Sequence, residues 1–237
     1  MTASDPLRPV RHPIPLLVLG ICGIVLTGAL GFAVTHAPQW TAWETDALNA
    51  IATTHTPAGL ALAGFIAWFF SPPVAAPLTF LIAVAVWALT RSFTRALVFA
   101  VTVGVCWGAT ESMKFLVQRP RPRLSAPVFE TPASFSFPSG HTAFACAIVL
   151  ALLLTLRDWR YEWVVIVLGS GLVVLVAWSR MYLGVHFPTD VTASVLLTVS
   201  VAGVVIPLIL NVAMPAVRGR WGTGVERTGA EGAIHGK

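Results

Sequence analysis

The chain has 237 residues, of which 56% are hydrophobic and 11% are charged, and its formal net charge is +5. A soluble globular domain carries about 25% charged residues, so this composition excludes an ordinary soluble domain and indicates a polytopic membrane protein. Most of the cations are arginines. We attribute them to membrane edges and to an anion site, and we expect no nucleic-acid partner.

Residues 1–13 are polar and precede the first long apolar run, which no small-residue cleavage site follows. We interpret this run as a retained helix, with a cytoplasmic segment before it. A membrane span needs about 20 mostly apolar residues. Six runs approach that length, at residues 14–34, 73–89, 94–117, 139–156, 163–178 and 188–212. An all-α, six-helix transmembrane domain is therefore predicted over residues 14–212, followed by a polar, disordered cytoplasmic tail over 213–237.

The stretch between the first and second spans is less regular. Residues 41–59 are amphipathic and are interrupted by Pro57, and the apolar run 60–70 is short. We predict one or two interfacial helices here. The alternative is a seventh span over 59–70, which would place the two chain ends on opposite sides of the membrane.

Arginines in the short loops predict the orientation. In the six-span arrangement four basic groups share one side, which we assign to the cytoplasm: Arg8 and Arg11, Arg91 and Arg95, Arg157 and Arg160, and Arg218 with Arg220 and Arg227. The opposite side holds Glu44 and Asp46, but also the most basic stretch of the chain, residues 113–127. A basic loop on the extracytoplasmic side indicates anion binding.

The first candidate cluster lies in that basic loop. Its cations are Lys114, Arg119, Arg121 and Arg123. The prolines between the arginines favour a stiff, extended path that would hold the guanidinium groups in a fixed array. Taken alone, the cluster also fits a loop that contacts lipid headgroups. Glu111, one helical turn before Lys114, is predicted to form a salt bridge that positions this lysine.

The second cluster is "PSGH", which opens the span 139–156. Ser139 is a favourable N-cap, and Gly140 allows a ligand to approach the backbone closely. The free N–H groups of a first helical turn form an anion site, and His141 would stand beside the bound anion. Taken alone, the motif also fits a plain helix cap with an interfacial histidine.

The third cluster is "SRMYLGVHFPTD", at the start of the last span. Arg180 ends the preceding helix, and His186 and Asp190 are four residues apart. A carboxylate on one ring nitrogen fixes the tautomer of a histidine and leaves the other nitrogen free as a nucleophile. An ordinary interfacial ion pair is the alternative for this cluster alone.

The three clusters would converge at one membrane face. Many cations and hydrogen-bond donors suit a phosphoryl group, whose oxygens need them during transfer. One histidine can attack phosphorus while the other protonates the leaving oxygen. No cluster of carboxylates indicates a metal site, so we expect neither metal nor cofactor.

These motifs resemble the three-part signature of the type 2 phosphatidic acid phosphatase (PAP2) superfamily of lipid phosphate phosphatases. The signature consists of Lys, six residues and Arg-Pro; then Pro-Ser-Gly-His; then Ser-Arg, five residues, His, three residues and Asp. Each position is matched, at Lys114 to Pro122, at Pro138 to His141, and at Ser179 to Asp190. The six-span pattern extends the resemblance over residues 14–212.

The resemblance implies a role for each matched residue. His186 would be the nucleophile that forms a phosphohistidine, Asp190 would orient it, and His141 would act as acid and then as base. The phosphate-binding residues would be Lys114, Arg121, Ser139, Gly140 and Arg180. Arg119 and Arg123 lie outside the signature and are expected only as possible headgroup contacts.

The expected activity is hydrolysis of a membrane lipid phosphate at the extracytoplasmic face of the cell membrane. We favour a polyprenyl diphosphate, such as undecaprenyl or decaprenyl diphosphate. Phosphatidic acid and phosphatidylglycerol phosphate are the alternatives, as is phosphoryl transfer to an alcohol. Vanadate-dependent haloperoxidases share the signature but are soluble, which the apolar spans argue against. A non-catalytic membrane scaffold would not need the complete set of residues.

Overall fold

The structure is a computed structural model that describes residues 7–130, 132–157, 160 and 162–215. Within these ranges the regular structure is helical, with no β-strand. The helices are α1 (Pro13–Thr35), α2 (Pro38–Ala52), α3 (Pro57–Phe69), α4 (Pro72–Thr90), α5 (Phe93–Val117), α6 (Gly140–Thr155), α7 (Glu162–Tyr182) and α8 (Pro188–Leu208). A π-helical segment, Ile209–Ala213, continues α8.

Prolines explain where five of these helices begin. Pro13, Pro38, Pro57, Pro72 and Pro188 stand at the first helical positions of α1, α2, α3, α4 and α8. The proline ring fixes φ near its helical value, and the missing N–H is one that has no intrahelical partner in a first turn. The helix starts are therefore encoded locally.

Five of the described helices are long and apolar enough to cross a membrane, namely α1, α4, α5, α7, and α8 with its π-helical continuation. Large apolar side chains on their outer faces are exposed, for example Leu19 at 69%, Phe80 at 67% and Leu168 at 68%. Apolar exposure of this extent is unfavourable in water and suits contact with lipid tails. The predicted class, an all-α polytopic membrane protein, is confirmed.

The remaining predicted span, 139–156, corresponds to α6, which has 16 residues. At 1.5 Å per residue it is about 24 Å long, shorter than the roughly 30 Å hydrocarbon core. The helix is short because the chain enters the bundle before the helix begins, and residues 136–139 are all buried. Its first turn therefore lies inside the protein.

The stretch between α1 and α4 forms two separate helices rather than a seventh long span. α2 has 15 residues and α3 has 13, and neither is among the helices long enough to cross. α3 packs against α7, and α2 contacts both α1 and α7. The predicted one or two helices between the first and second spans are thus two short helices, which pack against the bundle.

α6 is the centre of the bundle and packs against α5, α7 and α8. Twelve of its sixteen residues are buried. On the other side of α8, α1 packs closely because it presents glycines. A Cβ on Gly20 would lie 2.6 Å from the Ser200 carbonyl oxygen and 2.7 Å from Val204 Cγ2. Small residues allow helix backbones to approach in this way within membranes.

Three of the four predicted basic groups come together at one end of the bundle, and the fourth, after residue 215, lies outside the described residues. Leu7, Val98, Leu154 and Leu210 form one apolar cluster, so the N-terminal segment, the start of α5 and the ends of α6 and α8 share that end. Asn211 secures the segment, since its side chain donates to and accepts from the backbone of Val10. Residues 1–6 and most of the predicted tail, 216–237, lie outside the described residues.

Candidate active site

The three sequence motifs meet at the opposite end of the bundle. Lys114 comes from the last turn of α5, Arg121 from the loop after it, and Gly140 from the first turn of α6. His186 lies in the loop between α7 and α8, and Asp190 in the first turn of α8. The α5–α6 loop reaches the α7–α8 loop directly, because Arg121 Nη1 lies 3.0 Å from His186 Nε2.

The end of α5 aims the basic loop into the bundle. Gln118 adopts the left-handed conformation, with φ of 55°, and its N–H donates to the Lys114 carbonyl as a helix C-cap. A left-handed residue at this position ends a helix and turns the chain sharply. The turn sends Arg119 into the interior, where Ser136 donates to its carbonyl through both backbone N–H and hydroxyl.

His186 has different neighbours on its two ring nitrogens. A guanidinium can only donate, so the contact between Arg121 Nη1 and Nε2 requires an unprotonated Nε2. The ring proton is then on Nδ1, which faces Asp190 Oδ2 at 3.5 Å. The ring is only 2% exposed. Nε2 thus keeps its lone pair on the side of the cations, as a nucleophile requires.

Burial lowers the pKa of His186 well below its usual 6.5. The positive charges of Arg121, Arg180 and Lys114 lower this pKa further. These effects disfavour the imidazolium form. His186 is therefore neutral at physiological pH.

His141 is oriented from outside the three motifs. Its Nε2 lies 3.0 Å from the carbonyl oxygen of Ala67 in α3, which can only accept, so the proton of the neutral ring is on Nε2 in this contact. His141 is partly exposed, unlike His186. The short helix α3 thus fixes the second histidine.

Two of the predicted phosphate-binding residues, Arg121 and Arg180, place their positive charges near His186. Arg180 is 2% exposed, and its Nε and Nη1 atoms have no hydrogen-bond partner among the described residues. Unpaired buried guanidinium atoms are unfavourable, so an anion would satisfy them. Arg121 is held by the carbonyls of Ser134 and Val185, and burial lowers the pKa of its guanidinium. The arrangement suits the binding of an anion, and the expected phosphate contacts of Arg121 and Arg180 remain predictions.

Lys114 forms the predicted salt bridge with Glu111, at 2.8 Å. The first residue of α6 lies against this pair, since a Cβ on Gly140 would be 2.8 Å from Glu111 Oε1 and 3.0 Å from Lys114 Nζ. Glycine at this position therefore lets the lysine reach the N-terminus of α6. The close approach predicted for a ligand is made here by a side chain of the protein.

Ser139 occupies the N-cap position of α6, but its side chain makes no capping hydrogen bond. Its hydroxyl instead accepts from Thr142, and its backbone N–H donates to the Asp190 carbonyl at 3.3 Å. Ser139 therefore ties α6 to α8. Its expected contact with phosphate remains a prediction.

Arg119 and Arg123 have contrasting environments. Arg119 is 1% exposed and is bound by buried carboxylates, so its contacts do not fit the expected headgroup contact. Arg123 is exposed and lines a cavity of about 490 Å³ together with Arg121. The cavity also includes Phe129, Phe135 and the prolines of the α5–α6 loop. The headgroup contact expected of Arg123 remains a prediction, with which its exposed position in this cavity is compatible.

Glu44 lies outside the sequence motifs, and Thr189 lies within the third motif without an assigned role; the structure places both next to Asp190. Glu44 is fully buried in α2 and accepts hydrogen bonds from Arg119 and from both the backbone and hydroxyl of Thr189. The only sequence signal for it was an acidic residue within an amphipathic helix.

Within the described residues, no group of three or more His, Cys, Asp or Glu side chains could hold a metal ion.

A sequence model of the family described as the PAP2 superfamily matches residues 93–213. The chain belongs to the PAP2 superfamily. The match covers α5 to the π-helical segment and includes all three motifs. It leaves out α1 to α4, and therefore both Glu44 and Ala67.

Two named phosphatases are similar to parts of this chain. An undecaprenyl-diphosphatase from Sulfolobus acidocaldarius is 34% identical over 46% of this chain and 51% of its own length. Phosphatidylglycerophosphatase B from Bacillus subtilis is 39% identical over 33% of this chain and 40% of its own length. The chain thus spans about half the length, or less, of these relatives.

A solved structure supports the fold over a larger part of the chain. The crystal structure of a transmembrane PAP2-type phosphatidylglycerolphosphate phosphatase from Bacillus subtilis has a TM-score of 0.65, with 23% sequence identity. The match covers 85% of this chain and 95% of that protein. The arrangement of helices is therefore shared.

Proposed function

We propose that this protein is an integral membrane lipid phosphate phosphatase that acts through a phosphohistidine on His186. The observation that carries the proposal is the pairing of a neutral, buried imidazole with cations on its Nε2 side. Arg121 contacts Nε2 itself, and two nitrogens of Arg180 have no hydrogen-bond partner in the part of the chain that the structure describes. A phosphoryl group placed between His186 and these guanidinium groups would be attacked by the imidazole, and its oxygens would be stabilised by the positive charges.

In the first step, Arg121 Nη1 moves from His186 Nε2 to a phosphate oxygen, which frees the Nε2 lone pair. The lone pair attacks phosphorus, and the bond between phosphorus and the leaving oxygen breaks. His141 acts here as an imidazolium, which the negative charge of the bound phosphate favours, with Nε2–H on the Ala67 carbonyl and the second proton on Nδ1. That Nδ1 proton passes to the leaving oxygen, which departs as the lipid alcohol or lipid monophosphate. Asp190 stabilises the positive charge that develops on the His186 ring, because its Oδ2 faces Nδ1.

In the second step, water attacks the phosphorus of the phosphohistidine. His141, now neutral, takes a proton from the water, and the bond between Nε2 and phosphorus breaks. Inorganic phosphate leaves, and His186 returns to its neutral form. Lys114, Arg121 and Arg180 would stabilise the equatorial oxygens in both steps, with Ser139 and the backbone N–H of Gly140 as further donors.

We infer that the hydrolysis is metal-independent, because three side-chain cations are available for the charge that a divalent ion would otherwise neutralise. The same residues could transfer the phosphoryl group to an alcohol instead of water, so a phosphotransferase is the second candidate. Incubation with EDTA should leave phosphate release unchanged.

The substrate that we favour is a polyprenyl diphosphate. Two observations support it: one relative is named an undecaprenyl-diphosphatase, and Arg121 and Arg123 together line the cavity beside the anion site. A second phosphate could lie there, while the apolar tail stays in the bilayer. Phosphatidylglycerol phosphate also carries two phosphates, and phosphatidic acid carries one, so both remain alternatives.

A phosphate-release panel on the purified protein in detergent tests the proposal. The substrates are a prenyl diphosphate, phosphatidic acid and phosphatidylglycerol phosphate, each with wild type, His186→Ala and Arg123→Ala. We expect wild type to release phosphate and His186→Ala to release none. In Arg123→Ala, kcat/KM should fall more for the prenyl diphosphate than for phosphatidic acid. A tenfold preference for a glycerolipid, about 1.4 kcal/mol, would overturn the substrate assignment.

A further inference from the structure

Glu44, Arg119 and Asp190 form a buried network of three charged side chains on the Nδ1 side of His186. Arg119 Nη2 is 2.7 Å from Glu44 Oε2, and Arg119 Nη1 is 2.8 Å from Asp190 Oδ1. Both carboxylates are fully buried, and the guanidinium lies 4.0 Å from the ring centroid of Phe187. This network contains two negative charges and one positive charge. Its net charge of −1 is therefore placed next to His186.

Glu44 also secures the helix that carries Asp190. Its Oε1 accepts from the backbone N–H of Thr189 at 2.8 Å and from the Thr189 hydroxyl at 2.8 Å. Thr189 belongs to the first turn of α8, where a carboxylate is favoured by the helix dipole and by the free N–H groups. One carboxylate from α2 thus holds both Arg119 and the start of α8.

The two oxygens of Asp190 have separate partners. Oδ1 accepts from Arg119, whereas Oδ2 accepts from the Phe187 backbone N–H at 2.9 Å and faces His186 Nδ1. If Arg119 had no other partner, it would cancel the charge of Asp190 and could draw both oxygens away from the histidine. Glu44 binds the second nitrogen of Arg119 and prevents this.

We propose that Glu44, acting through Arg119, is a positioning residue for Asp190 and keeps a net negative charge beside His186. The catalytic centre would then include α2, which lies outside the residues matched by the PAP2 sequence model. The inference rests on the proposed function, in which His186 is the nucleophile and becomes positively charged as the phosphohistidine forms.

The charges around His186 explain why this extra carboxylate matters. The groups that face the ring are Arg121 from the α5–α6 loop, Lys114 from α5, Arg180 from α7, His141 from α6 and Asp190 from α8. Three of them are cations, which oppose a positive charge on the ring. The net negative charge of the Glu44, Arg119 and Asp190 network offsets part of this effect. Loss of one carboxylate would lower the pKa of His186 further and make the ring a poorer nucleophile.

The test uses Glu44→Gln in the purified full-length protein, with farnesyl diphosphate as substrate. Glutamine has nearly the same shape but no charge. We expect kcat to fall about tenfold or more, with KM within about twofold of wild type. The titration midpoint of His186, followed by NMR of labelled histidine, should fall by about half a pH unit or more. Asp46→Asn is the matched control, since Asp46 is exposed on the same helix, and it should change neither quantity.

A double variant separates charge from structure. Glu44→Gln combined with Arg119→Gln removes one negative and one positive charge, which restores the net charge of −1. We expect the His186 midpoint to return toward the wild-type value, even if kcat does not recover. A merely structural role would reduce the folded fraction in each variant and leave the midpoint of the folded protein unchanged.

The inference is wrong if Glu44→Gln keeps the wild-type kcat and midpoint, or if the double variant lowers the midpoint as much as the single one. Should Glu44→Gln fail to fold, Glu44→Asp takes its place: a lowered kcat with an unchanged midpoint is expected, and a wild-type kcat refutes the positioning role. If wild type releases no phosphate from any lipid phosphate, the proposed function fails instead, while the NMR titration still decides the electrostatic claim.

Discussion

The two ring nitrogens of His186 have neighbours of opposite character, a guanidinium on Nε2 and a carboxylate on Nδ1. The spacing of His186 and Asp190 in the sequence was enough to predict this pair. It could not predict the partner of Arg119, because Glu44 lies 75 residues earlier on a helix whose packing no local pattern determines. The buried contacts of Arg119 do not suit the expected headgroup contact, and a basic sequence does not show which of its arginines turns inward.

The lowered pKa of His186 leads to a prediction about pH. The ring should remain neutral, with its proton on Nδ1, as the pH falls through 6.5, and should take up a second proton only well below that value. NMR of protein labelled at histidine, with His186→Gln to assign the signal, measures both the tautomer and the midpoint. A histidine peptide in the same micelles, titrating near 6.5, is the control. A His186 midpoint at or above 6.5 would contradict the account.

At the scale of elements, the apolar runs predicted the long helices closely, because a membrane span and its proline start are both encoded locally. The predicted run 139–156 became α6, of 16 residues, within two residues of the expected length. What the sequence could not predict is that α6 lies at the centre of the bundle and that α3 reaches His141 through Ala67. Both depend on how helices pack, which periodicity alone does not determine.

The contact between α5 and α6 predicts the effect of Gly140→Ala. The new methyl group would lie 2.8 Å from Glu111 Oε1 and 3.0 Å from Lys114 Nζ, so these flexible side chains must shift away. We expect the fold to survive and kcat/KM to fall about tenfold, about 1.4 kcal/mol of transition-state stabilisation, as Lys114 leaves the anion site. Gly108→Ala on α5, which has open space around its Cβ position, should keep wild-type kcat/KM. Equal activity of the two variants would refute this role of Gly140.

For the whole molecule, the packing of the bundle puts the N-terminal segment and the end of α8 at one end, away from the site. From the positive-inside rule we predict that this end faces the cytoplasm and that the site faces the outside. Labelling of single cysteines with a membrane-impermeant reagent in intact cells tests this topology, in a background without Cys22, Cys106 and Cys146. Ser125→Cys should react and Thr223→Cys should react only after permeabilisation. The reverse result would show that the site faces the cytoplasm.

The central claim is that phosphorus becomes bonded to His186 during turnover. The most direct measurement is rapid quenching of the enzyme with a ³²P-labelled prenyl diphosphate, followed by mapping of the labelled peptide. We expect a label that is stable to base and labile to acid on the peptide that contains His186, present in wild type and absent in His186→Ala. Full turnover by His186→Ala, or a wild type that turns over with its label on another residue, would contradict the account.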